Sequence, residues 1–237
     1  MSTKKLDVVS IQEALRTSAL EAINRSPEAT TQIIQIDASK TFLLPDDVRV
    51  NSFSAVVVDF TSTNMFYDTT FDAKVYSPPV CFAIGRASNE QLIPSKNSTK
   101  KQSESCNICP LNEFGSSGKG KACKNGITLA LLPPTATKST PIWLLKISPT
   151  ALKSWGAYVR SVFSAFELPP IGVVTTFVFD DKVTYPSIRF VDPQPNNFLD
   201  VFRERQIEAQ DLLELEPSLK QMVVMGTPKA VTNVSKR

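Results

Sequence analysis

The sequence has 237 residues, of which 42% are hydrophobic and 21% are charged, and this composition excludes disorder along the whole chain. The 26 lysine and arginine residues nearly balance the 23 aspartate and glutamate residues. The net charge of +3 therefore excludes a strongly basic protein but leaves room for a local basic surface. No histidine is present, which excludes Ser-His-Asp and Cys-His catalysis and every metal site that uses imidazole.

The first predicted elements are one helix and two strands. Ser10 and Glu13 form a capping-box pattern at the start of a helix over residues 10–25. Its apolar side is typical of a helix that packs or docks against a partner. β-Branched and aromatic residues predict strands at 31–37 and 53–60. Residues 61–77 carry aromatic side chains among polar ones, and the pattern is compatible with a hairpin or with an aromatic-bearing loop.

The second half of the chain combines strands and helices without regular alternation. Ser148 is the predicted N-cap of a helix with Pro149 at its first position, and an acidic helix is predicted at about 197–215. This mixture favours an α+β or mainly β fold over a parallel βαβ sheet. Its strands are predicted at 127–132, 141–147, 173–179 and 187–191.

The predicted organisation has three parts. Residues 1–30 form an N-terminal helix or arm, residues 31–195 the main domain, and residues 196–237 an acidic helix with a mobile tail. A cysteine-rich insertion occupies about 81–126 of the main domain. The sequence has no apolar run long enough for a membrane helix and no secretory signal pattern, so a cytoplasmic location without membrane contact is predicted.

All four cysteines lie within one short region, at Cys81, Cys106, Cys109 and Cys123. The Cys106–Cys109 pair has the C-x2-C spacing that grips one ion from a tight turn, and two further thiolates complete a tetrahedron. Soft sulfur ligands favour structural Zn²⁺. An iron–sulfur cluster uses the same ligands, and a redox pair or unrelated thiols remain alternatives. Cys81 follows Val80 directly and is also compatible with a buried strand thiol.

The segment between Cys109 and Cys123 is rich in glycine and lysine. Residues 115–122 approach the phosphate-binding pattern G-x4-G-K-[ST], but Ala122 stands where that pattern needs a hydroxyl for Mg²⁺. A basic loop is the better interpretation, because residues 96–124 hold six lysines against two glutamates. Such a loop contacts phosphates without reading sequence, although a solvated lysine loop has the same charge pattern.

The string Cys106-x-x-Cys109-Pro110-x-Asn112-x-Phe114-Gly115-Ser116, followed by Gly118-Lys119-Gly120-Lys121-Ala122-Cys123-Lys124, resembles a motif of phage-encoded single-stranded DNA-binding proteins. Pro79-Val80-Cys81 and residues 149–158 look like further parts of the pattern. The resemblance implies an OB-like β-barrel with a cysteine-rich, zinc-binding insertion and flanking helices. It also implies that the protein coats single-stranded DNA without strong sequence preference during phage DNA replication or recombination in an infected host cell. Phage replication proteins are further candidate partners.

Sequence-neutral binding of a single strand needs cations for phosphates and aromatic faces for bases. The predicted nucleic-acid contacts are Lys100, Lys101, Phe114, Lys119, Lys121, Lys124, Phe177, Phe179, Tyr185 and Arg189.

Two other functions are compatible with parts of the sequence. One is a zinc-stabilised protein-interaction or transcription-regulating module of a phage. The other is a magnesium nuclease built on strand-end aspartates, and the absence of histidine and of a dense acidic cluster argues against an enzyme. The aspartates concerned are Asp59, Asp180, Asp181 and Asp192.

Overall fold

The computed structural model describes residues 32–69, 78–197 and 199–216. Backbone contacts divide the chain at Thr31/Gln32, and every described residue belongs to the second unit. The predicted helix at 10–25 and the C-terminal tail from Pro217 onward lie outside the described residues.

The described part of the chain is a mixed α+β structure built on one large sheet, which confirms the predicted class. Three α-helices accompany the sheet: α1 (Leu152–Phe166), α2 (Leu199–Glu204) and α3 (Gln206–Glu214). None of the helices in these residues is long and apolar enough to cross a membrane. The strands are β1 (Gln32–Ile36), β2 (Phe42–Leu43), β3 (Arg49–Val50), β4 (Ser52–Phe66), β5 (Cys81–Gly85), β6 (Lys124–Leu132), β7 (Trp143–Ile147), β8 (Val173–Phe179) and β9 (Ile188–Pro195).

The long strand β4 organises the sheet. The strand order is β3-β2-β1-β7-β6-β4-β8-β9, with β5 also paired to β4, and β1–β7 is the one parallel pair among these described strands. β6 runs along one edge of β4. The other edge pairs with β8 over its first residues and with β5 over its last, where Phe66 is opposite Cys81. The cysteine-rich insertion predicted at about 81–126 therefore begins with a sheet strand, β5, and its residues 86–123 join β5 to β6 at the same end of β4.

The sheet curls so that distant strands meet. Phe42 on β2 and Phe179 on β8 stack with their ring centroids 4.2 Å apart. These strands are five positions apart in the sheet, which is about 24 Å on a flat sheet. Lys40 closes the same gap, because its Nζ donates to the carbonyl oxygens of Asp180 and Val183 at 2.9 and 2.6 Å.

Both faces of the sheet are covered, which explains why its central strands are continuous apolar runs. The inner face packs Val57 and Leu129 against Trp155 of α1. The outer face packs the alternate strand residues against Phe202 of α2 and Leu213 of α3. The acidic helix predicted at 197–215 is thus two short helices that belong to the main unit, and they divide at Arg205.

Some predicted boundaries shift for physical reasons. Residues 61–66 are neither a hairpin nor a loop but the continuation of β4, while residues 70–77 lie outside the described part. Ser148 makes no side-chain capping bond, and a 3-10 turn over Pro149–Ala151 precedes α1. The strand predicted at 173–179 coincides with β8.

Candidate metal centre and cysteine knuckle

The four cysteines line one small cavity at the β5–β6 end of the sheet. Cys81 begins β5, Cys106 and Cys109 bracket a 3-10 turn, and Cys123 directly precedes β6. All four thiols are buried and free. The cavity has a volume of about 10 Å³, which is roughly the space that a single water-sized species needs.

The thiols are close enough to affect one another electrostatically. Burial, together with the neighbouring Cys106, Cys109 and Cys81, raises the pKa of Cys123 to about 12, against an opposing effect of Lys121. Burial likewise raises the pKa of Cys106, a hydrogen bond from Asn64 opposes that rise, and Cys81 and Cys109 add to it. Buried thiols whose ionisation is opposed by neighbouring thiols are suited to an arrangement in which a cation neutralises them, and Cys106 and Cys123 are in that position.

The side chains as they stand do not form a complete ligand cage. Among the described residues, no group of three or more cysteine, aspartate or glutamate side chains has the arrangement of a metal site. What the structure does bring together is the donor set itself, because all four sulfur-bearing residues share one cavity lined by Phe82, Ala83 and Leu111. An all-thiolate set of this kind suits Zn²⁺.

A network of four asparagines supports the cavity. Asn112 donates to the carbonyl oxygen of Cys106 at 2.9 Å, and Asn125 donates to Asn112 Oδ1 at 2.8 Å and to Asn64 Oδ1 at 2.6 Å. Asn89 completes the network, because its Nδ2 donates to Asn64 Oδ1 at 3.0 Å and to the backbone of Thr63 and Gly126. The network ties the cysteine segment to β4 and β6. Sequence reasoning missed it, because the partners are as many as 61 positions apart.

We call residues 106–123 the cysteine knuckle. Its base is fixed by backbone bonds from Cys106 to Leu92 at 3.0 Å and from Cys123 to Leu111 at 2.8 Å. Its tip is a tight reversal in which Gly115 and Ser117 both donate to the carbonyl oxygen of Gly120. Gly115 and Gly118 have φ values of 96° and 65°, a region that favours glycine. The glycine-rich segment is thus a short ordered hairpin.

The geometry of this segment also differs from that of a phosphate-binding G-x4-G-K-[ST] loop. That motif lies between a strand and the start of a helix, where helix N–H groups face the phosphates. Here the segment follows two 3-10 turns and leads into strand β6.

The knuckle exposes Phe114 and Lys119 to solvent, while Lys121 is half-buried and Lys124 directly follows the knuckle. Phe114 is 82% exposed. Lys119 is exposed, and none of the ion pairs among the described residues involves it. Lys121 lies 3.9 Å from Glu90, and Lys124 donates to the carbonyl oxygen of Lys121 at 3.0 Å.

The predicted contacts just before the knuckle are partly neutralised. Lys101 pairs with Glu104 at 2.6 Å, and Lys100 lies 3.9 Å from Asp68. Both pairs are largely exposed, so they are weak and open to competition from a phosphate.

The prediction that Phe177 and Phe179 stack on bases is wrong. Phe177 and Phe179 are buried in the inner core, at 0% and 8% exposure. Phe177 stacks on Phe53 with ring centroids 4.7 Å apart, and Phe179 stacks on Phe42. Because α1 and the curled sheet cover that face of β8, no base can reach either ring.

Tyr185 and Arg189 are accessible, but the strand register places them at the other end of β4 from the knuckle. Tyr185 is 49% exposed and Arg189 is exposed on β9. β8 pairs with β4 at Phe53, whereas β6 enters beside the knuckle opposite Met65. Twelve residues of strand span up to about 40 Å. The predicted contacts therefore fall into two separate groups.

Asp59, one of the four aspartates considered for a magnesium site, and two glutamates at the end of the predicted acidic helix region have partners within the fold. Asp59 pairs with Arg86 at 2.7 Å, and Glu214 pairs with the same guanidinium at 2.9 Å. Glu216 accepts from Ser95 and Asn97 at 2.7 and 2.6 Å. The end of the acidic helix region thus holds the start of the insertion against the sheet.

The fold and the site together define a mixed α+β protein with a four-thiol cavity and an ordered basic knuckle at one end of a curled sheet. Comparison with family models, curated proteins and solved structures found no match to this chain.

Proposed function

We propose that this protein binds single-stranded DNA without strong sequence preference and coats it during phage DNA replication or recombination in an infected host cell. The observation that carries the proposal is Phe114, which is 82% exposed on a tip held between two buried cysteines. An exposed phenylalanine on an ordered hairpin contributes nothing to the core, whereas it offers a ring on which any base can stack. Lys119 supplies a cation for the neighbouring phosphate, because the reversal that bonds Gly115 to Gly120 brings the residues next to them together.

The proposal includes a structural Zn²⁺ held by Cys81, Cys106, Cys109 and Cys123. Zn²⁺ bound by four thiolates supplies folding free energy rather than reaction chemistry. The ligands come from β5, from the 3-10 turn and from the residue before β6. Such a site would fix the knuckle to the sheet, and a stiff knuckle loses less entropy when it binds a strand.

The OB-like architecture is part of the same proposal. A sheet that curls until Phe42 and Phe179 stack, and that carries a long insertion between β5 and β6, supports it. The parallel β1–β7 pair and the nine-stranded sheet go beyond the five-stranded barrel of a minimal OB fold.

A zinc-stabilised interaction or regulatory module is the second candidate, and one observation favours it. Ile93 and Ile108 are 70% and 65% exposed on the insertion. Exposed aliphatic side chains do not stack on bases as rings do, whereas they can pack against apolar side chains of a partner protein.

A titration with fluorescein-labelled oligo-dT, followed by anisotropy at low salt, tests the proposed function. We expect saturable binding that weakens as salt rises, with weaker binding to a duplex of equal length. The variant Lys119→Gln should bind more weakly, and Arg203→Gln, an exposed cation on α2, is the matched control. An absence of oligo-dT binding at low salt would refute the proposal, and a preference for duplex would favour the regulatory module.

A further inference from the structure

Helix α1 has a positively charged side that the fold does not use. The helix contains Lys153 and Arg160 and no acidic residue. Its buried side is Trp155, Tyr158 and Val162, which pack into the inner core. Lys153 and Arg160 are both exposed, and within the described residues neither takes part in an ion pair. Apart from the C-cap Glu167, the helix places no acidic residue near these two cations, so they are available to an anionic partner.

An aromatic side chain continues the same row. Phe163 is 64% exposed and follows Arg160 by three residues, while Lys153 precedes Arg160 by seven, so the three lie on one face. Gly156 lies between the cations, and a Cβ placed there would be 3.6 Å from Arg160 Nη1. The guanidinium therefore lies along the helix surface toward Lys153. A row of cation, small residue, cation and ring suits a chain that alternates phosphates with flat bases.

This face starts at the end of the sheet that carries the knuckle. β7 ends at Ile147, which pairs with Ile127 on β6. The carbonyl oxygen of Ile147 is 2.9 Å from the Cβ position of Gly126, three residues after Cys123. The chain then passes through a single 3-10 turn before α1 begins at Leu152. The first turn of α1 therefore leaves the sheet beside the base of the knuckle.

We infer that the exposed face of α1 extends the single-strand binding surface beyond the knuckle, with Lys153 and Arg160 as phosphate contacts and Phe163 as a base-stacking contact. The inference rests on the proposed function and deepens it. It adds three residues that are outside the cysteine insertion. The charge of the row and its exposed ring favour a single strand over a protein partner.

The cations are tested by the double variant Lys153→Gln/Arg160→Gln in oligo-dT titrations at several salt concentrations. Each phosphate contact contributes about 0.7 to the slope of log K against log salt for single strands, so losing two should make the slope shallower by about 1.4. The affinity of the double variant relative to the wild type should therefore be about 25-fold lower at 0.1 M salt than it is at 1 M salt. Arg203→Gln removes an exposed helical cation elsewhere and should leave both quantities unchanged.

The ring is tested by Phe163→Ala. Stacking predicts a loss of roughly fivefold to 150-fold on oligo-dT and little loss on an abasic strand of the same length, which keeps the phosphates but has no bases. Ile207→Ala is the matched control, because Ile207 is 69% exposed on α3. Photo-crosslinking of an iodouracil-substituted strand to the wild-type protein gives an independent readout, with adducts expected in the peptide that contains Phe163.

The outcomes separate this inference from the proposed function. If the wild-type protein does not bind oligo-dT at all, the proposed function fails and this inference falls with it. If the wild type binds but the double variant and Phe163→Ala bind as tightly as their controls, the inference alone is overturned. Crosslinks confined to the knuckle peptide would overturn it as well, without any substitution.

Discussion

Asn125 on β6 donates a 2.6 Å hydrogen bond to Asn64 Oδ1, its direct partner on β4 in the strand pair that ends at the cysteine cavity. Both side chains are buried, and Asn64 lines the cavity itself. A buried amide is costly unless its donors and acceptors are satisfied, so this pair specifies one arrangement of the strands beneath the thiols. It is also the link through which the sheet orients Cys106, because Asn125 continues to Asn112 and Asn112 to the Cys106 carbonyl.

Asn64→Asp should loosen this support and weaken zinc binding. Asn64 Nδ2 donates to the Asn89 carbonyl oxygen at 2.6 Å, and a carboxylate oxygen there would face that carbonyl without a proton. We expect zinc affinity to fall by about 10- to 100-fold, the usual effect of losing an outer-shell partner. Competition with a chromophoric chelator measures it.

The matched control for this variant is Asn196→Asp. Asn196 is also buried, and its Nδ2 donates to the Ile171 carbonyl oxygen at 3.1 Å, among residues that do not line the cysteine cavity. Its replacement should lower the melting temperature without changing zinc affinity. Equal losses of zinc affinity in the two variants would show that Asn64 has no special role at the site.

Metal content gives the most direct test of the cysteine cavity. We expect one zinc per chain by native mass spectrometry of the purified protein, and its loss in Cys106→Ser, because a hydroxyl is a poor replacement for a thiolate ligand. Ser105→Ala changes the adjacent, partly exposed side chain and should keep the metal. Cys81→Ser asks whether the strand thiol is the fourth ligand. Iron and sulfide in place of zinc, or full zinc retention in Cys106→Ser, would contradict the prediction.

Phe114→Ala should separate binding from stability. The ring is 82% exposed, so its removal should change the free energy of unfolding by less than about 0.5 kcal/mol. Loss of one stacked base should cost about 1–3 kcal/mol of binding free energy for oligo-dT. Ile93→Ala, which truncates a side chain that is 70% exposed, serves as the control and should bind normally. The opposite pattern, in which only Ile93→Ala binds more weakly, would shift the contact surface away from the knuckle tip.

The sequence predicts the strands well where burial alternates. β8 has the burial alternation that its sequence suggests, and its bounds coincide with the prediction. The end of β4 was not predicted, because Thr61 and Asn64 are polar in sequence yet 0% and 1% exposed. These polar residues are buried within the fold, where Asn64 bonds to the distant Asn125. A local pattern cannot reveal a partner of that kind.

The candidate site can be predicted from the sequence only in part, because its aromatic contacts also depend on long-range packing. Cysteine spacing indicated that the four thiols would converge, and they share one cavity. Spacing could not assign the aromatic side chains. Alternation places Phe177 and Phe179 on one face of β8, but whether that face is open depends on α1 and on the curl of the sheet, which are long-range features.

Phe177→Ala tests the reassignment of that ring to the core. Phe177 is fully buried and contacts Phe53 and Phe190 at centroid distances of 4.7 and 5.4 Å. Removing it should lower the free energy of unfolding by about 3–5 kcal/mol, as measured by urea denaturation. The fraction that remains folded should bind oligo-dT with wild-type affinity. A stable variant with weakened DNA binding would restore Phe177 to the binding surface.

Asp37 gives a prediction for the dependence of stability on pH. A hydrogen bond from the Ser39 hydroxyl lowers the pKa of Asp37, and backbone donors from Thr41 and Ser39 and the nearby Arg49 lower it further, against a partial opposing effect of burial. The native state therefore favours the ionised form. Its stabilising effect is fully present above the unfolded-state pKa of about 3.9 and is lost as the pH falls through the lower native-state value.

Asp37→Asn should therefore melt below the wild type at pH 7, and the difference in melting temperature should shrink as the pH falls below about 3.9. The site is close to solvent, so we expect a difference of no more than about 4 °C at pH 7. Asp46→Asn is the control, since that exposed carboxylate accepts a single backbone bond, from Val48 at 3.3 Å, and should show a smaller difference. A difference in melting temperature between the wild type and Asp37→Asn that grows as the pH falls would have the wrong sign for a lowered pKa. That result would refute this account of the β1–β2 turn.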